Sequence, residues 1–130
     1  MKQELDFLGY VQFDHHVWLN ELIFSNKEVK LYEARLLELM EKVEDESTLD
    51  ELSDLYDSFS QKNEEIEELI LMIRKHVVNN TRLVRSNGSI KSMIDSTHAT
   101  TRKEMQKFRK DYAQLKQRFS RFAIIQDGLK

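Results

Sequence analysis

Four histidines are the residues of this 130-residue chain best suited to chemistry: His15, His16, His76 and His98. Neutral imidazole is a common ligand for zinc and related divalent ions, and it also titrates near neutral pH. His15 and His98 fall within apolar seams, and His76 stands beside Val77 on the flank of another. Three imidazoles from three segments could hold a divalent metal such as zinc, with Asp95, one helical turn before His98, as a fourth ligand and Asp14 or His16 as neighbouring alternatives. Trp18 and Ile73 would wall such a site. The same three residues could instead form a buried polar layer that fixes how helices register, with Ser25 and Asn63 as further members.

Any such site depends on elements that bring the three histidines together. The chain has no Pro, no Cys and three Gly, with 33% charged and 40% hydrophobic residues. Scarce turn formers disfavour sandwiches and barrels, and long soluble helices fit the composition. Absent cysteine excludes disulfides, thiolate zinc sites and a cysteine nucleophile. The length suits one domain over residues 1–130.

Apolar residues recur at spacings of three and four in three segments, about 4–44, 48–79 and 89–126. The seams are Leu8–Val11–His15–Trp18–Leu22–Ser25–Val29–Tyr32–Leu36–Leu39–Val43, then Leu49–Leu52–Tyr56–Phe59–Asn63–Ile66–Ile70–Ile73–Val77, then Ile94–His98–Thr101–Met105–Phe108–Tyr112–Leu115–Phe119–Phe122. Thr48 and Glu51 have the spacing of a capping box, and Asn79-Asn80 and Asn87-Gly88 mark the second break. Short connections make neighbours antiparallel. The expected fold is all-α: an elongated, coiled-coil-like, up-down-up three-helix bundle.

Charge is unevenly divided. Residues 1–44 carry −4, residues 45–80 carry −7 and residues 81–130 carry +8. A basic helix suggests nucleic acid, but the positions of its bases suggest the chain itself. With His15 level with His98, three pairs of opposite sign face each other in the parallel helices: Asp14 with Arg102, Glu21 with Arg109, and Glu28 with Lys116. Lys103, Lys107, Lys110 and Arg121 point outward as a solvated stripe without interleaved aromatics, so no nucleic-acid partner is expected. The turn positions separately bring His15 near His76, and His76 near His98.

Other chemistry finds little support. The longest strictly apolar run, Leu69–Ile73, is far short of the ~20 residues of a membrane span. The N-terminal stretch lacks the apolar core of a signal peptide, so a cytoplasmic location is expected. The sequons at Asn79 and Asn87 matter only in a eukaryotic secretory setting. The chain carries no nucleophile elbow, phosphate loop or dinucleotide fingerprint. It also lacks the Glu-x-x-His pairs of ferritin-like bundles and the paired His motifs of hemerythrin-like carriers. Thr97-His98-Ala-Thr-Thr-Arg102 has only a faint likeness to a histidine-kinase helix. Glu64, Glu65, Glu67 and Glu68 read as a solvated face.

The segment His15-His16-Val-Trp18-Leu19-Asn-Glu21-Leu22 resembles the opening of helix 1 in small helical-bundle proteins of Bacteroidota-type bacteria. In these, further histidines recur near the end of helix 2 and the start of helix 3, where His76 and His98 stand. The resemblance is loose after residue 45 and implies a bundle with a histidine cluster, without a function. The expected function is therefore a non-catalytic interaction or adaptor bundle, with a protein partner or a second copy. The alternative is a metal-binding or metal-sensing bundle using His15, His76, His98 and Asp95.

Overall fold

A computed structural model describes the backbone of residues 2–86 and 91–128, and the side chains of residues 7–82 and 91–123. Three helices account for that backbone apart from the first turn: α1 Lys2–Lys42, α2 Glu46–Ser86 and α3 Lys91–Gly128. At 1.5 Å per residue each is roughly 57–62 Å long, so the bundle is elongated.

The first turn occupies residues 43–45, but its cap differs from the expected one. Asp45, not Thr48, is the capping residue. Its carboxylate accepts hydrogen bonds from the Thr48 amide at 3.1 Å and the Thr48 hydroxyl at 2.7 Å. These bonds hold the Asp45 carboxyl below the usual carboxylate range. Asp45 also accepts the first intrahelical bond, from Leu49 N at 3.0 Å. A shorter turn with an acid at its end satisfies the free amides three residues earlier than a Thr48 cap would.

The second turn also moves. Asn79-Asn80 does not end α2, which continues to Ser86. Asparagine is only a weak helix breaker, and no Gly or Pro intervenes before Gly88. Thr81 lies within the helix, and its hydroxyl donates to the Val77 carbonyl one turn back at 2.9 Å. Asn87-Gly88 lies outside the described residues. The later turn slides α3 against α2 by more than one helical turn relative to the expected pairing. His76 therefore lies opposite Thr101 rather than residue 95.

The core runs the length of the bundle, through Leu22, Val29 and Leu36 of α1, Leu52, Phe59, Ile66 and Ile73 of α2, and Met105, Phe108 and Phe122 of α3. The seams of α1 and α3 are close to the expected ones. That of α2 is wider. Leu55 and Leu69 are buried with Leu52, Phe59 and Ile66, whereas Tyr56 and Ile70 are half-buried and Val77 is exposed. The middle helix has to satisfy two neighbours. Its row 56-63-70 turns towards α1, where Asn26 Nδ2 donates to Asn63 Oδ1 at 2.6 Å. Its row 55-62-69-76 turns towards α3, where Lys62 approaches Asp111 at 3.9 Å and His76 meets Thr101. A single heptad stripe captures only one of these rows.

Candidate functional site

All three expected pairs between the parallel helices are present. Arg109 binds Glu21 through Nε at 2.7 Å and Nη2 at 2.8 Å. Lys116 Nζ reaches Glu28 at 3.2 Å, and Arg102 Nη2 reaches Asp14 at 3.5 Å. The bidentate bond to Glu21 raises the Arg109 pKa. The Tyr112 hydroxyl joins this row by donating to Glu28 at 2.7 Å, and burial together with that acceptor drives the phenol well above its ordinary pKa. Such half-exposed pairs contribute little stability but fix axial position.

That axial position sets the histidines. The His15 and His98 rings meet edge to face, with centroids 5.3 Å apart. The Trp18 indole stacks on His98 at 4.8 Å. His15 and His98 are buried, and His76 is half-buried at the α2 side of the layer. His98 Nε2 lies 2.8 Å from Asp14 Oδ2. An ionised carboxylate can only accept, so the proton on Nε2 points at Asp14, which fixes the tautomer and ring orientation. His98 Nδ1 is buried without a protein partner. Thr101 Oγ1 donates to the Thr97 carbonyl at 3.0 Å, so it receives the Nδ1 proton of His76 at 3.3 Å. Burial, with the neighbouring His98 and His76, pulls the His15 pKa down to about 4, and only Asp14 opposes this. Burial and His98 lower that of His76.

The sequence-based site is therefore partly assembled. His15, His76 and His98 lie at one level of the bundle, with the Trp18 ring packed against His15 and His98; Ile73 is buried in the core. Asp95 is exposed, and the hydrogen bonds and ion pairs of the layer among the described residues do not include it. The late second turn carries it past His76, and Asp14 is the carboxylate that meets a histidine. His16 is exposed. Among the described residues, no group of three or more His, Asp or Glu side chains is arranged to hold a metal ion. A zinc site needs three or four donor atoms about 2 Å from one point, and His98 Nε2 is already directed at Asp14. What the layer provides is two closely packed buried imidazoles, a third at their edge, and one carboxylate. Ser25 is buried as a further polar seam residue.

A second feature has no counterpart in the seams. Tyr10, Phe13, Phe24 and Leu31 of α1 are 73, 66, 65 and 72% exposed, with Val17 at 41% between them. Tyr10, Val17, Phe24 and Leu31 are seven apart, and Phe13 falls between the first two at the 3-4 spacing. Phe24 is two residues, about 200° of helical rotation, from Asn26, which contacts α2. The row is thus a second apolar stripe on the side of α1 turned from α2. It borders the α1–α3 groove, where Phe24 and Ser25 face Phe108 and Ala113. The signal was present as a second seven-residue period in α1, masked by the stronger seam beside it.

Among the described residues, no helix is long and apolar enough to cross a membrane. Compared with known proteins, the chain matches no family model, no curated protein and no solved structure.

Proposed function

We propose that the protein is a cytoplasmic, non-catalytic helical-bundle adaptor that binds another protein through the outer face of α1. The observation carrying this reading is the pairing of a continuous closed core with an open apolar row from Tyr10 to Leu31. Single exposed apolar residues are ordinary, but five of them on one helix face, four at seven-residue spacing, suit a partner helix. The bases of α3 that would attract nucleic acid are partly engaged, since Arg102, Arg109 and Lys116 face carboxylates of α1. The histidine layer serves in this reading as the polar level that sets the alignment of α3 on α1.

The double substitution Phe24→Glu with Leu31→Glu tests the reading. Surface changes away from packed features cost at most about 0.5 kcal/mol each. The variant is expected to melt within a few degrees of the parent while losing the proteins that the parent retains in affinity purification from its native host. Identical retained proteins for parent and variant would overturn the proposal.

A further inference from the structure

The histidine layer fastens one end of α3. Between Lys91 and Arg102 the buried side chains are Ile94, His98 and Thr101, of which Ile94 alone is apolar. Among the described residues, the hydrogen bonds and ion pairs that tie this stretch to α1 and α2 all belong to the layer. They are His98 Nε2 to Asp14 at 2.8 Å, Arg102 to Asp14 at 3.5 Å, and His76 to Thr101 at 3.3 Å. Lys91 adds a contact over the Phe7 ring, at 5.3 Å. Further along α3, Met105, Phe108, Tyr112, Leu115 and Phe122 are all buried. On α2, residues 77–82 beyond His76 have no buried side chain. Apolar packing thus holds most of α3, and a polar clasp holds its start. A segment with so little buried apolar surface opens at lower free energy than the core it joins.

The groups around His15 come from all three helices. Asp14 lies on α1, His76 on α2 and His98 on α3, with Arg102 against Asp14. His16 and Asp95 on neighbouring turns are exposed. Asp14 is the one carboxylate that meets the layer, and it already serves His98 and Arg102. A proton on His15 in the closed layer therefore sits beside two other imidazoles with no acid of its own. A proton on His98 Nδ1 would be buried without an acceptor. Moving the start of α3 away returns these rings to water and relieves both costs.

We infer that the histidine layer is an acid-released latch: protonation of His15 and His76 frees the first three turns of α3 while the bundle around Phe59 stays closed. Release lifts His98 from the Trp18 indole, which it covers at 4.8 Å, and adds Trp18 to the exposed surface of α1, whatever the outer row of that helix binds. Returning His15 from a pKa of about 4 to 6.5 makes this opening roughly twentyfold more favourable at pH 5 than at pH 7.

Hydrogen exchange of the full chain tests the latch, with amide protection taken relative to an unstructured chain at each pH. Protection over residues 94–104 is expected to fall about twentyfold or more from pH 7 to pH 5, and only a few-fold in His15→Leu. Phe59→Leu separates local from global opening, because the Phe119 that Phe59 meets lies about 27 Å along α3 from Thr101. That variant is expected to lower protection over residues 112–122 and to leave residues 94–104 unchanged. Protection over 94–104 that is the same at both pH values, or that falls equally in parent and His15→Leu, would overturn the latch. Loss of protection in both stretches alike on Phe59→Leu would also overturn it, since α3 would then open only with the whole bundle.

Discussion

Replacing Phe59 with alanine is expected to remove about 3–5 kcal/mol of stability and to lower the melting temperature by roughly 10–20 °C. Phe59 is fully buried on α2. Its ring stacks on Tyr32 of α1 at 4.6 Å and meets Phe119 of α3 edge-on at 6.1 Å, and Tyr32 and Phe119 contact each other at 5.0 Å. These three rings join all three helices at one level. Deleting one leaves a cavity that rigid helices fill poorly, and it removes two ring-ring contacts as well as buried area. Phe59→Leu retains most of the volume and is expected to cost less than about 2 kcal/mol. Urea unfolding of the two variants checks the contrast. Equal, small losses would mean that α3 does not pack on this cluster.

The second large effect is on pH. In the folded chain His15 has a pKa near 4, below its ordinary 6.5, because it is buried beside His98 and His76. The unfolded chain therefore takes up a proton near pH 6.5 that the folded chain refuses until about pH 4. Folded stability is complete above pH 6.5, falls as the pH drops through that window, and levels off below it. Between pH 7 and pH 5 this linkage removes roughly 2 kcal/mol, about 6–10 °C in melting temperature. His76, also lowered, acts in the same direction. Asp14, on the same level, opposes the loss by attracting protonated imidazole, and Arg102 at 3.5 Å from Asp14 limits that attraction. Most carboxylates titrate below this window, so the slope above pH 5 belongs to the histidines. His15→Leu is expected to flatten the melting profile between pH 7 and pH 5. A parental profile already flat there would show that the imidazoles are solvated. Stoichiometric zinc binding abolished by His98→Ala would replace the polar-layer account with a metal centre.

Much of this arrangement was legible in the residues. The 3-4 spacing marks three long helices, and opposite charges at Glu21–Arg109 and Glu28–Lys116 mark how α1 and α3 align. Because these pairs depend on heptad positions alone, they survive errors at the turns. For the same reason the meeting of His15 with His98 was recoverable from sequence. Features tied to the turns were less so. Asn79-Asn80 is a plausible stop that the helix runs through, and the resulting shift replaces Asp95 with Asp14 at the layer. The burial of Leu55 and Leu69 follows from α2 having two neighbours, which a single stripe does not encode. The outer row from Tyr10 to Leu31 was visible as a period but not as a surface, since exposure is known only once α2 and α3 have taken their places.

That outer row is the centre of the functional account, and photo-crosslinking in the native host tests it most directly. A photoreactive side chain is placed at Leu31 on the stripe, or at the exposed Gln117 of α3 as a control. The account predicts a discrete covalent adduct from Leu31 and none from Gln117, with the adduct at Leu31 lost when Phe24 is changed to Glu. Equal labelling from both positions, or no adduct from Leu31, would contradict it.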